Sequence, residues 1–295
     1  MSTETLIAPL KIRTNVRSHD ARLHAAAWPL RALLKVSPRL AGPAVARAFC
    51  TTWRPPVRPA DTEALGLARR VAIPFGRRSL PAWVFGEGPA VLLSHGWSGR
   101  GAQLAPLAAA LATAGFRAIT FDHPAHGEAA GKLTTLPEMA SAIGEVDAWA
   151  GGAHAVVAHS VGSVVTTLAM ARTIAPRRVV YLAPPVDPRA WLRGFARKLG
   201  LGPAIDEPLV RGIEARAGVP IAQVDPRTFV GDLETPLLIV HDREDPEVPF
   251  AAGEELARKW GGETTFVATE GLGHHKILRS PEVGERVLGF VALDR

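Results

Sequence analysis

Ser160 ends an apolar run, Ala155-Val156-Val157-Ala158-His159, and precedes Val161-Gly162 and a stretch carrying Val164, Val165 and Leu168. The first run has the length and composition of a buried strand, and the second has the spacing of a helix. A strand that becomes a helix across one residue holds that residue on a sharp, strained bend with its side chain presented outward. Such a bend needs small neighbours two positions before and after the serine. Ala158 and Gly162 fill those places, Ala158 standing where the G-x-S-x-G pattern has glycine. The plainer alternative is an ordinary strand-to-helix turn on which Ser160 only caps the helix.

A serine hydroxyl is a poor nucleophile without a base, and the base needs a partner to orient it. Both follow Ser160 in the order acid, then histidine. An apolar strand candidate over 236–241 runs into Asp242-Arg243-Glu244-Asp245-Pro246-Glu247-Val248-Pro249. A second, over 263–269, runs into Gly271-Leu272-Gly273-His274-His275. Each candidate lies just past the carboxyl end of its strand, so alcohol, imidazole and carboxylate can meet at one sheet edge. Two acids, Asp242 and Asp245, and two bases, His274 and His275, compete for the roles.

A further turn can stabilise charge. Leu92-Leu93-Ser94 leads into His95-Gly96-Trp97-Ser98-Gly99. The Trp97 amide, paired with the Val161 amide at the helix start, would form an oxyanion hole. Residues 122–127, Asp-His-Pro-Ala-His-Gly, border the same edge. His159, His95, His123 and His126 are expected to pack or brace rather than react, and no role falls to His19, His24 or His154. No metal or cofactor is expected: the chain has no His-x-x-x-His on a helix, no cysteine pair and no Gly-rich phosphate cradle. Cys50, the only cysteine, reads as an inert or buried thiol.

These residues must be positioned by a scaffold, and the pattern supplies one. Short strands at 71–75 and 80–85 form a hairpin, followed by strands at 90–94, 117–122, 154–159, 179–183, 236–241 and 263–269. Helices are expected at 102–114, 137–150, 161–175, 251–260 and 281–293. The βαβα rhythm predicts an α/β fold: a mostly parallel central sheet with helices on both faces. Residues 186–235 interrupt it with strandless helical segments. Trp191, Phe195 and Leu199 lie on one side there, and Arg189, Arg193 and Arg197 on another, which reads as a wet face. Helical spacing also recurs at 19–36 and 38–50. The expected division is a basic helical extension over 1–60, a core over 61–185 and 236–295, and a small helical lid over 186–235.

The 295 residues are 47% hydrophobic and 21% charged, which excludes disorder. No run approaches the roughly 18 apolar residues of a membrane span. The net charge of +6 could invite nucleic acid, but residues 1–80 hold 14 Lys and Arg against 4 acids, and the remainder 20 against 24. The basicity therefore belongs to the leader, and nucleic acid is not expected as a partner. The leader lacks the pattern of a secretory signal, and one cysteine fits a reducing compartment, so a cytoplasmic location is expected. The composition says nothing of oligomeric state.

Together the elbow, the acid and histidine loops and the His95-Gly96 turn resemble the α/β-hydrolase superfamily over about 71–293. The resemblance implies Ser160 as nucleophile and His274, directly after Gly-x-Gly, as base. It implies Asp245 as acid, since Asp245 begins Asp-x-x-Val-Pro, and His95-Gly96 as the oxyanion turn. Residues 122–127 look like the family's Asp-x-Pro-Gly-His-Gly loop with Ala125 replacing a glycine. The expected function is a serine hydrolase acting through an acyl-enzyme on a small-molecule carboxylic ester with a short to medium apolar acyl or aryl group. Trp97, Trp191 and Phe195 are the candidate substrate contacts. A thioesterase or acyltransferase would use the same residues, and a non-catalytic binding protein on this fold is the alternative outside enzymes.

Overall fold

The computed structural model describes residues 27–293. Residues 19–26 of the expected helical segment 19–36, with Leu23, lie outside the described residues. A hairpin opens the sheet: β1 (Arg69–Phe75) and β2 (Arg78–Phe85) pair antiparallel across a turn in which Gly76 takes φ +57°. Then come β3 (Ala90–Ser94), β4 (Arg117–Phe121), β5 (Ala155–His159), β6 (Arg178–Leu182), β7 (Leu237–Asp242) and β8 (Thr264–Thr269). Among the described residues they form one eight-stranded sheet in the order β1-β2-β4-β3-β5-β6-β7-β8. Only the β1–β2 and β2–β4 pairings in it are antiparallel. This is the α/β-hydrolase fold.

The apolar runs of β3, β5, β6 and β7 are buried throughout because both sheet faces are covered. Side chains alternate between the faces with period two. Leu92, Val156, Tyr181 and Ile239 pack with α5 (Leu136–Ala150), α6 (Val161–Met170) and α9 (Phe250–Lys259). Leu93, Val157, Val180 and Val240 pack with α4 (Ala105–Thr113) and α10 (Pro281–Val291). β3 sits between β4 and β5, so successive crossovers leave it in opposite directions and open a crevice at the carboxyl ends of β3 and β5. That crevice receives Gly96 and Ser160.

One expected helix is shorter than its periodicity implies. α6 ends at Met170 rather than 175. Pro176 disfavours a helical Ala175. The amides of Arg172, Thr173 and Ile174 instead converge on the Ala169 carbonyl, a tight turn that ends the helix.

Residues 186–235 contain no strand and hold α7 (Pro188–Lys198), capped by the Asp187 carboxylate on the Ala190 amide at 3.0 Å, and α8 (Asp206–Ala217). Arg189 and Arg193 pair with Glu207 and Asp187, so this part of the arginine row is an ion-paired surface. N-terminal to the sheet are α1 (Trp28–Val36), α2 (Pro38–Cys50) and α3 (Pro59–Leu65). α2 crosses α8 closely. A Cβ on Gly212 would meet Ala46 Cβ at 2.8 Å and the Gly42 carbonyl at 2.9 Å, so glycine lets the two backbones touch. Asp61 on α3 is buried and receives both its hydrogen bonds from Arg279, at 2.9 Å each. Among the described residues no helix is long and apolar enough to cross a membrane.

Candidate active site

Ser160 joins β5 to α6 with φ 53° and ψ −129°, a conformation that L-residues avoid. Its amide is tied to the Leu182 carbonyl at 2.9 Å, and the Ser163 hydroxyl donates to its carbonyl at 2.6 Å. Gly162 is required by close approach: a Cβ there would meet the Ser94 carbonyl at 2.5 Å and the His95 carbonyl at 2.7 Å. Ala158 needs no glycine. It lies within β5, in register with Ser94 and Tyr181, and its methyl joins the buried cluster on the α6 side.

His274 Nε2 lies 3.0 Å from Ser160 Oγ, and His274 Nδ1 lies 2.7 Å from Asp245 Oδ2. Alcohol, imidazole and carboxylate thus form one continuous hydrogen-bonded chain, with Ser160 9% and His274 4% exposed. The other carboxylate oxygen of Asp245 accepts the amides of Glu247 at 2.8 Å and Val248 at 2.9 Å. Burial by itself would raise the Asp245 pKa. Hydrogen bonds from His241 and His274, the His274 charge and the Val248 amide outweigh it and hold the carboxyl well below the usual range.

The rival residues are engaged elsewhere. Asp242 accepts from the Thr269 hydroxyl at 2.8 Å and from the Leu272 and Glu244 amides at 3.0 Å. Burial opposes its charge, but these donors and the Gly273 amide hold its pKa below the ordinary value. It pins the acid loop to the histidine loop instead of touching an imidazole. His275 turns outward, half exposed, to pair with Glu247 at 2.8 Å.

The His95–Trp97 turn lies against the serine. A Cβ on Gly96 would stand 2.9 Å from Ser160 Cβ and 3.4 Å from Ser160 Oγ. Val161 is the first residue of α6, so its amide has no intrahelical acceptor. His95 fixes the turn: Nδ1–H donates to the Gly96 carbonyl at 2.8 Å and Nε2 accepts the His123 amide at 3.1 Å. That pair of bonds defines a neutral tautomer. Burial first, then His123 and His126, push its pKa well below 6.5. His123 reaches the Ser94 hydroxyl at 2.9 Å.

The 122–131 loop folds on Asp122, which accepts the Gly101 amide at 2.8 Å and the Glu128 amide at 2.7 Å. Burial raises the Asp122 pKa to about 6 in spite of those bonds. Ala125 takes φ +65°, the left-handed region that glycine enters without penalty. Cys50 is buried, and desolvation raises its thiol pKa to about 11, so it is no nucleophile.

Two further histidines support this arrangement: His159, expected to pack or brace, and His241, for which the sequence suggested no role. His159 Nε2 donates to the His274 carbonyl at 2.8 Å, steadying the His274 backbone. His241 Nε2 lies 3.5 Å from Asp245 Oδ2. Their only sequence signal was a place at the end of an apolar strand. Of the candidate substrate contacts, Trp97 and Phe195 are joined through Phe49 of α2, whose ring stacks on Trp97 at 5.8 Å and meets Phe195 edge-on at 5.3 Å. Trp191 packs, partly buried, against the same core. Among the described residues no cluster of histidine, cysteine and acidic side chains is arranged to hold a metal ion.

A model of the Alpha/beta hydrolase family matches residues 90–285. No curated protein matches the chain in sequence. Among solved structures, Est1E from Butyrivibrio proteoclasticus, bound to ferulic acid, superposes with a TM-score of 0.58 at 21% identity, covering 75% of this chain and 99% of that one. A thermophilic esterase from Thermogutta terrifontis gives 0.58 at 20% identity, with 76% and 98% covered. An esterase from Exiguobacterium antarcticum gives 0.57 at 17% identity, with 72% and 96% covered. At these identities the likeness is one of fold.

Proposed function

Because the chain belongs to the Alpha/beta hydrolase family, we propose that it is a serine hydrolase cleaving carboxylic esters with short to medium apolar acyl or aryl groups. One observation carries this reading: the unbroken path from Ser160 Oγ through His274 to Asp245. Esterases among the structures of like fold support the choice of ester.

Ser160 Oγ attacks the acyl carbon while His274 Nε2 takes its proton. The C–O π electrons move onto the carbonyl oxygen, and the Trp97 and Val161 amides hold that oxyanion. An oxyanion-hole donor is worth about 3 to 4 kcal/mol of the barrier. Asp245 stabilises the imidazolium and keeps Nδ1 protonated. His274 then gives its proton to the departing alcohol oxygen as the C–O bond breaks, leaving an acyl-Ser160. Water, deprotonated by His274, adds to the acyl carbon. Collapse expels Ser160 Oγ, which recovers a proton from His274, and the acid leaves.

In this reading residues 61–185 and 236–295 are the catalytic core and 186–235 a lid beside the crevice. The test is Ser160→Ala assayed on p-nitrophenyl esters of acetate to octanoate, with a fluorophosphonate probe on both proteins. The expected result is loss of about three or more orders of magnitude in kcat and loss of covalent labelling. Retained turnover in the variant overturns the assignment.

A further inference from the structure

We propose that α2, from the segment N-terminal to the sheet, supplies one wall of the acyl site, with Phe49 as a specificity-determining residue. This rests on the serine-esterase reading and adds to it a part of the chain outside the family match at 90–285.

Three rings from three separate segments meet here. Phe49 comes from α2, Trp97 from the turn after β3 and Phe195 from α7. Phe49 is the bridge, stacked on Trp97 with planes 24° apart and edge-on to Phe195 at 79°. All three rings are only partly buried. Trp97 is bonded directly to Gly96, whose Cβ direction ends 3.4 Å from Ser160 Oγ, so the cluster sits one residue along the chain from the nucleophile's contact. Partly exposed aromatic rings beside a reacting centre suit an apolar acyl chain or an aryl group.

The segment that follows Phe49 holds the ring in place. The Cys50 carbonyl accepts the Thr134 amide at 3.1 Å, and the Thr52 amide donates to the Lys132 carbonyl at 3.0 Å. The Thr52 hydroxyl donates to the Ala125 carbonyl at 2.5 Å, and the Trp53 amide to the Ser98 hydroxyl at 3.1 Å. The Arg54 guanidinium gathers the carbonyls of Ala125, Ala129 and Gly131. Residues 50–54 are thus laced to the 125–134 segment and to the turn after β3 that touches Ser160, and this part of the extension acts as a fixed wall. A wall of this kind sets which acyl groups fit.

The experiment measures kcat and KM for p-nitrophenyl esters from acetate to decanoate, and for the benzoate, with the wild-type chain, Phe49→Ala, Phe49→Leu and Val45→Ala. Val45 is fully buried on α2, so its truncation loosens the helix without removing the ring. Fluorophosphonate labelling of Ser160 is followed in each. Phe49→Ala is expected to shift the preferred acyl length by two or more carbons and to raise kcat/KM for decanoate over acetate about tenfold. Phe49→Leu is expected to fall between, and Val45→Ala to keep the wild-type profile. If the Phe49 variants label and turn over with an unchanged profile, or Val45→Ala reproduces the shift, the wall is overturned and the esterase reading stands. A wild-type chain that neither labels nor hydrolyses any ester overturns both.

Discussion

His241 Nε2 lies 3.5 Å from Asp245 Oδ2, the oxygen that also receives His274 Nδ1 at 2.7 Å. Two imidazoles thus converge on one buried carboxylate. His241 is fully buried on β7, and its Nε2 also lies 3.2 Å from the Val248 carbonyl, so the ring braces the acid loop from beneath.

His241→Phe removes that donor while keeping most of the ring volume. It is expected to lower kcat about tenfold, equivalent to about 1.4 kcal/mol, with KM within about twofold. Steady-state kinetics on a p-nitrophenyl ester checks it. A purely packing role would leave kcat unchanged once the fold is retained.

Asp242 and Asp245 separate by what each substitution damages. Asp245→Asn is expected to cut kcat by about 10³ to 10⁴ while the protein stays folded, because the imidazole loses its orienting acceptor. Asp242→Ala leaves the Thr269 hydroxyl and the Leu272 and Glu244 amides without their acceptor. It is expected to cost about 2 to 4 kcal/mol of stability. Urea unfolding and turnover measured side by side distinguish the two.

Ser160→Gly exchanges a strained residue for one that enters φ 53° freely. Relief of about 1 to 3 kcal/mol of strain exceeds the entropy cost of glycine, about 0.5 to 1 kcal/mol. The variant is expected to be inactive and about 1 kcal/mol more stable than the parent, read from the urea midpoint. A less stable variant would show that the serine bend stores no strain.

Acid should weaken the fold well above the range of ordinary carboxylates. Burial lowers the pKa values of His95, His123, His126 and His159, that of His126 to about 4. Unfolded histidines titrate near about 6.5. Between those values the unfolded chain takes up protons that the folded one refuses, so unfolding free energy falls as pH falls. Asp122, raised to about 6, opposes this by binding one proton early in the folded state. Four groups against one leave a net loss, expected as a urea midpoint that drops steadily from pH 7 to 5. Asp245 adds its own loss only below its unfolded value, about 3.9.

Much of this was legible in the residues. Runs such as Ala155–His159 are buried on both faces, so they carry their strand assignment locally, and the strand–serine–helix bend follows from small residues flanking Ser160. The helix after Ser160 was overread to 175 because periodicity continues to Ile174, while the turn closing on Ala169 is a backbone event without apolar signature. The contacts of Phe49 were invisible: it reads as one more apolar position on a helical stripe, and only tertiary packing brings it to Trp97.

The amino-acid order alone determined the alternation of strands and helices, the place of each chemical group at a strand's carboxyl end, and the short set of residues from which a site could be built. These depend on neighbours a few positions apart, through side-chain periodicity and backbone sterics. The tertiary structure alone decided which members of that set meet. Asp242 and Asp245 are three residues apart, and His274 and His275 are adjacent. Each pair points its members toward different partners, because the loops are folded by hydrogen bonds between segments distant in sequence. His159 and Phe49 reach His274 and Trp97 for the same reason, as these partners lie 115 and 48 positions away and are brought close only by packing.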